Sequence, residues 1–348
     1  MDPALTPAFA DGSIVISPPL WIDGGAIRRA RVLIAGTPVT LIFPTSPAVP
    51  KGARLVQLEE PRFRGRPIPQ VKFPPRNGWG NFDVEFNRLL VRALRFVTPM
   101  SPVIAPTTSA VPREFYTQPL DWLRLAWPPW FEFVQDWICA WTGLIRELQD
   151  GEETRPFIDA AAERVGVEHP GTATVRIEIA SHGPQPAASA EQLRAAFICA
   201  THAYRIPASI ELLKQAQSAH LHGRYRQCVI DACTAAEASI SERVQAELMR
   251  RSVPTDARER ITRQAGGVVE LSQLARSMGL SLPVSLKAIS DRLAGPRNLA
   301  VHVGSPLDAK TATAAFPLAR QLVNAVNPLP PASSILRRHW DVNVSRAV

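Results

Sequence analysis

The sequence predicts an α+β protein, with a β-rich N-terminal region, a tryptophan-rich helical middle and an all-α C-terminal helical bundle. Three observations carry this. Short β-branched runs cut by prolines fill residues 1–115. Five of the eight tryptophans fall within residues 116–186, most of them at helical spacing. From residue 187 to residue 327, apolar side chains recur every three or four positions. The expected organisation is a β-rich domain over 1–115, then a segment over 116–186 packed on it. That segment holds the Trp-rich helix and a short α/β stretch. A helical domain over 187–327 and a tail over 328–348 follow.

A chain of 348 residues suffices for two or three domains. Its net charge of +8 is uneven: +6 over residues 1–110, −6 over 111–184 and +8 over 185–348. Two basic blocks thus flank an acidic middle. Basic blocks favour a polyanion such as nucleic acid. Lysine is scarce beside arginine, so a genomic bias explains the charge equally well. The cysteines, Cys139, Cys199, Cys228 and Cys233, lack C-x-x-C spacing and sit in apolar helical contexts. They read as buried hydrophobes in a reducing compartment, and no zinc site is expected. No basic region followed by an apolar run opens the sequence, and no apolar stretch is long enough to span a bilayer. The expected location is the cytoplasm, with no membrane partner.

In the first region, Ile14–Ile16, Ile27–Ile34, Val39–Phe43 and Arg54–Glu59 read as strands. A hairpin turning at Gly36-Thr37-Pro38 joins the second and third. Prolines at 44, 47, 50, 61, 67, 69, 74 and 75 suit edges and loops. Arg62, Arg64, Arg66, Lys72 and Arg76 surround Phe63, Phe73 and Trp79. Cations interleaved with aromatics suit single-stranded nucleic acid. A solvated loop with its aromatics pinned to the core fits the same pattern and is preferred. Asp83–Val97 reads equally as a helix or a long strand.

In the middle, Trp130, Val134, Trp137 and Trp141 form one bulky helical face, with Pro128-Pro129 as the expected start. That face reads as core or as a seam. Pro156–Val165 reads as a short helix and Thr172–Ile179 as a strand, with a boundary at Ser181–Pro186. Helices are then expected over residues 188–202, with Leu193, Ala196, Phe197 and Ala200 inward, from Pro207 to Gly223, and from Arg224 to about Arg251, where Tyr225, Val229, Cys233, Ala236, Ile240, Val244 and Leu248 give the buried stripe. Residues 252–267 read as an exposed basic loop with a helical turn. Further helices span Val268–Met278, Pro283–Leu293 and Asp308–Val326, the last capped by Asp308 and kinked or broken at Pro317. The tail is anchored by Trp340.

The chemistry concentrates in Gly295-Pro296-Arg297-Asn298-Leu299-Ala300-Val301-His302-Val303-Gly304. It reads as one short helix, with Pro296 at its first position and Gly304 just past its end. Arg297 offers a permanent cation with a planar fork of donors. His302 is of the one residue type whose charge changes near neutrality. Asn298 and His302 are four apart, so they share a face. Arg297 and His302 are five apart, about 140° around an ideal α-helix, and do not converge on one face. Glu237 lies close to the apolar stripe of the long helix. It reads either as a partner for Arg297 or as an ordinary half-exposed carboxylate. Asp291 is a second candidate partner for Arg297.

Arg-Asn-x-x-x-His on a late helix resembles the HEPN superfamily motif. The Ala-rich helix that follows Gly223-Arg224-Tyr225-Arg226 resembles the first long HEPN helix. The resemblance covers about residues 205–327. It implies a compact bundle that forms a homodimer through the motif face. It also implies a metal-independent endoribonuclease with RNA as substrate, whose composite site draws Arg297 and His302 from two protomers or repeats, with Asn298 orienting His302 or donating to the phosphate. No cofactor is called for, because the 2′-OH is the nucleophile: His302 takes its proton and Arg297 stabilises the dianionic phosphorane. A defence or toxin effector fits this reading, with the N-terminal half meeting a trigger or antitoxin protein. A non-catalytic dimerisation scaffold is the alternative. The sequence lacks a P-loop, G-x-S-x-G and H-E-x-x-H, which leaves kinase, serine hydrolase and zincin readings without support.

Overall fold

The computed structural model describes residues 9–25, 27–59, 61, 78–99, 121–143, 166–169, 172–174, 187–304 and 306–344. It has a β-sheet in the N-terminal region and helices in the C-terminal half. The chain divides into two compact units, one of Met1–Tyr204 with Ile335–Val348 and one of Arg205–Ser334. The division falls at Tyr204, where the sequence placed the start of the helical domain at residue 187.

The first unit is built on an antiparallel six-stranded sheet: β1 (Phe9–Asp23), β2 (Arg29–Ile34), β3 (Thr37–Ile42), β4 (Leu55–Gln57), β5 (Gly80–Asp83) and β6 (Arg88–Pro99). β6 is the strand on which the others depend. One of its edges takes β1 from Phe9↔Pro99 to Asp23↔Arg88. Its other edge is shared, with β5 on Arg88–Val91 and β3 on Arg95–Val97. Ala93 through Thr98 are buried without interruption, so both faces of β6 are covered. That is why its sequence does not alternate and helix and strand could not be separated there. The β2–β3 hairpin turns at Ala35-Gly36, with Thr37 and Pro38 already paired to Ile34 and Leu33. Both turn residues have positive φ (48° and 78°), the geometry that matches strand twist in a two-residue hairpin. Gly80 is required where β5 meets β6: a Cβ there would lie 1.9 Å from Leu90 O.

Helix α1 (Asp121–Thr142) starts well before Pro128-Pro129, which lie inside it. Both prolines are exposed, so the carbonyls they leave unbonded face water. The tryptophan face is core. Trp127, Trp130, Val134, Trp137 and Ile138 are buried, and Trp130 stacks on Phe197 (5.7 Å between centroids). Two short strands, β7 (Gly166–His169) and β8 (Thr172–Thr174), pair with one another. The expected strand to Ile179 shows only its first residues, and its remainder, with the helix expected over Pro156–Val165, lies outside the described residues.

Helix α2 (Ala190–Thr201) opens with a capping box between Ser189 and Gln192. It buries Leu193, Ala196, Phe197 and Ala200, the face expected from the sequence. Ala188 joins this helix to β1, donating to Trp21 O and accepting from Asp23 N.

The second unit is all helical: α3 (Ala208–Leu221), α4 (Tyr225–Arg250), α5 (Thr255–Gln264), α6 (Val268–Ser277), α7 (Leu286–Ile289), α8 (Gly295–Asn298) and α9 (Ala309–Val326). Helix α4 is its axis. Ala232, Ala235 and Ala236 are fully buried and admit close neighbours, and Ala312, Ala315 and Ala319 of α9 do the same from the other side. Residues 255–264 form a complete helix, where a loop with one helical turn was expected, and none of its residues is buried. Asp308 caps α9 through Thr311 N (2.8 Å), as expected. The helix runs through Pro317 without a break; Pro317 and Thr313 are both exposed, so the lost hydrogen bond falls on the solvent side.

The expected tail is a helix, α10 (Ala332–Val344). Ile335 is buried, and the His339 ring stacks on His202 (4.7 Å) and leans on Tyr204 (5.8 Å). Tyr204 O in turn accepts from Trp137 Nε1 at 2.7 Å. The side chain of Trp340 lies outside the described residues.

Two predictions follow from this packing. Ile240→Ala, at a fully buried site, lowers stability by about 2–5 kcal/mol in urea unfolding. Met249→Ala, at a site 61% exposed, stays within about 0.5 kcal/mol. Burial holds the His339 imidazole below its ordinary pKa, and the nearby His202 and Arg338 act in the same direction. Released His339 therefore binds a proton more readily than docked His339. Docking of α10 is firm above about pH 6.5 and weakens as pH falls through that value. Limited proteolysis of the C-terminal helix should accelerate between pH 7.5 and pH 5.5, and His339→Phe should remove the acceleration.

Candidate functional site

The stretch read as one short helix is the end of a longer one. Ser285 caps its start by accepting from Ala288 N (3.1 Å), and the chain stays helical to Val303. Pro296 is thus interior rather than at the first position. The helix accommodates it by changing its winding. Ser290–Ala294 is a π-helical stretch, in which Gly295 N donates to Ser290 O. An α register would set the Pro296 ring against the carbonyl of Arg292, and the looser turn before it relieves that clash. One α turn follows as α8. Leu299–Val303 is then π-helical again, with Gly304 N donating to Leu299 O. Gly304 ends the helix in the left-handed region, at φ 68°, as its sequence position implied.

This winding alters the spacing of the motif. At 3.6 residues per turn, positions five apart diverge. Where i→i+5 bonds close the turn, five steps come closer to a full circle. The π turn lies between Arg297 and His302, so the two lie closer to one face than the ideal helix allows. Arg297 is half-buried, and Asn298 and His302 are exposed. Arg297 Nη1 donates to Asn298 Oδ1 at 3.2 Å. Asn298 therefore meets Arg297, and the bond to His302 that their spacing permits does not form. His302 has no hydrogen-bond partner among the described residues.

Arg297 faces α4. Its charge acts on Glu237 and on Cys233, one helical turn apart on that helix. Burial pushes the Glu237 carboxyl above its ordinary pKa. Arg297 pulls it down and Glu270, at the start of α6, pushes it up. The structure thus brings Glu237 and Arg297 into one electrostatic cluster. Asp291 is not part of it: the carboxylate pairs with Lys287 in its own helix at 2.6 Å. Both side chains of that pair are exposed, and the i,i+4 spacing is enough to form it. Arg62, Arg64, Arg66, Lys72 and Arg76 lie outside the described residues.

Sequence reasoning missed three participants. Arg226 Nε donates to Ala300 O at 3.0 Å, tying the start of α4 to the motif helix. Glu270 carries no motif and is placed only by the packing of α6 on α4. Cys233 is buried, and burial with Glu237 beside it pushes its thiol up to about 12. Cys199 likewise rises to about 12 and Cys228 to about 11, so these are inert thiols. Elsewhere in this unit, Glu247 accepts from Arg250 and Arg251, which hold its carboxyl down at about 2.

Among the described residues no group of three or more His, Cys, Asp and Glu side chains is placed to hold a metal ion. No described helix is long and apolar enough to cross a membrane. A cavity of about 370 Å³ opens between Arg243, Ala275, Leu280, Leu282 and Val326, and no motif residue lines it. Compared with family models, curated proteins and solved structures, the chain matches none.

The raised Glu237 carboxyl has a stability consequence. A carboxyl whose folded pKa exceeds its unfolded one favours folding at low pH and opposes it as pH rises through the folded value. Glu237→Gln should therefore be more stable than the wild type at pH 7. The difference should vanish below about pH 4, in urea titrations at both pH values.

Proposed function

We propose that the helical unit is a HEPN-type endoribonuclease domain that cleaves RNA without a metal. The observation that carries the reading is the motif helix itself. Its π-wound end brings Arg297 and His302 closer to one face, with the charge of Arg297 acting on the half-buried Glu237 and His302 exposed to meet a substrate. Perturbed carboxylates and π turns both gather at functional sites.

In this mechanism His302 takes the proton of the ribose 2′-OH, and the oxygen attacks the adjacent phosphorus. Arg297 grips the phosphate oxygens and stabilises the dianionic phosphorane. The 5′-oxygen departs with a proton, leaving a 2′,3′-cyclic phosphate. One copy of the chain offers one histidine, and a second copy supplies the acid. Leu299, Val301 and Val303 are 50%, 40% and 69% exposed around His302. An apolar rim of this kind suits a face that a second copy covers. Glu237 orients Arg297 by its charge.

The sheet-bearing unit would then serve as sensor or targeting module for a defence or toxin effector, with a trigger or antitoxin protein as partner. A second reading is a non-catalytic dimerisation scaffold. The absence of any partner for the His302 ring among the described residues favours it, since catalytic histidines are usually oriented by a second group.

The two separate in one assay. Purified full-length protein is incubated with total cellular RNA in EDTA, beside His302→Ala and Arg297→Ala. The nuclease reading expects cleavage by wild type, products ending in 2′,3′-cyclic phosphate, and a loss of about 10²–10⁴-fold in His302→Ala. Equal cleavage by all three would place the activity elsewhere. A folded dimer that cleaves under no condition would support the scaffold.

A further inference from the structure

The last turn of the motif helix is wound one residue looser than an α-helix, and one contact accompanies that winding. Gly304 N–H donates to Leu299 O, an i→i+5 bond. In an α register the same N–H would go to Ala300 O. Ala300 is fully buried, so its released carbonyl needs another donor. Arg226, near the start of α4, supplies it through Nε at 3.0 Å. A guanidinium is always charged, and such a bond is stronger than a neutral one.

We propose that Arg226 sets the π register of this turn and, through it, the angle between Arg297 and His302. It is a positioning residue, acting on the site through the backbone of Ala300. With Arg226 in place, the Ala300 carbonyl is occupied and Gly304 N–H stays on Leu299 O. With Arg226 removed, Ala300 O recaptures Gly304 N–H and the turn tightens. His302 then swings away from Arg297, toward the divergence of ideal α winding. The geometric part stands on its own. Only its effect on cleavage rests on the nuclease reading above.

The test uses the full chain with ¹³C-labelled histidine and ¹⁵N-labelled glycine, the His302 signal being assigned by His302→Ala. Arg226→Met removes the donor, and Arg226→Lys keeps the charge and one donor. In the RNA-free protein, Arg226→Met should move the His302 ring resonances and shift the Gly304 amide resonance, as its acceptor changes from Leu299 O to Ala300 O. Arg226→Lys should restore both in part, and it serves alone if Arg226→Met does not fold. In that case its His302 ring and Gly304 amide resonances should be displaced from the wild-type positions, and wild-type values would overturn the inference.

Unchanged His302 and Gly304 resonances in Arg226→Met overturn it whatever happens to cleavage. On RNA, kcat should fall on the order of 100-fold with KM unchanged, the scale of a misplaced catalytic group. A defect confined to KM would mean that Arg226 grips phosphate directly, and would also overturn the positioning role. Altered resonances in a chain that cleaves no RNA would uphold the positioning role and sink the nuclease reading.

Discussion

The helical unit depends on how closely other helices can approach α4. Its buried face is mostly small: Cys228, Ala232, Cys233, Ala235, Ala236 and Ser239, with Val229, Ile240 and Val244 as the larger contacts. Small side chains let backbones come near, and density rather than bulk then supplies the contact energy. The same close approach has a polar consequence. Glu237 sits on this helix where a neighbour covers part of it, so its carboxylate loses water and takes Arg297 as compensating charge. Packing and electrostatics are therefore one constraint here. Moving the motif helix outward would return water to Glu237 and at the same time break the Arg226–Ala300 bond.

Much of this was legible in the sequence, for identifiable reasons. The stripe of α4, the inward face of α2, the Asp308 cap and the left-handed Gly304 depend on side-chain periodicity and local hydrogen bonding, which neighbours in sequence supply. The errors share a different cause. Pro128, Pro129 and Pro317 were read as boundaries, yet each lies in a helix on its water-facing side. A proline breaks a helix chiefly where the lost bond is buried, and exposure is a tertiary property. The ambiguity at residues 83–97 has the same origin, since a strand covered on both faces carries no alternating signal.

The site divides along the same line. Arg297, Asn298 and His302 could be picked out by residue type and spacing, and the influence of the Arg297 charge on Glu237 could be anticipated from charge, though no ion pair joins them among the described residues. Asp291 was misassigned because a lysine one turn away in its own helix is a nearer partner than Arg297. Arg226 and Glu270 were invisible, because each enters through a contact set by packing rather than by sequence distance. The winding of the motif helix was invisible too. Pro296 announced a disturbance, but whether it would start a helix, kink one or widen its turn depends on the elements that flank it.

The pairing of β6 has a consequence in time. Phe9 pairs with Pro99, and no strand of the sheet except the β2–β3 hairpin and the β4–β5 pair finds a partner before β6 exists. A chain emerging from the ribosome must hold β1 unpaired through some ninety residues of synthesis, a long loop to close and a slow topology. The first unit also takes in Ile335–Val348, so the part of the chain that is made first is finished last. The contiguous helical unit, built from local contacts, can complete itself in the interval. The sheet-bearing unit, with its apolar strands waiting, is then the half in greater need of chaperone protection during synthesis.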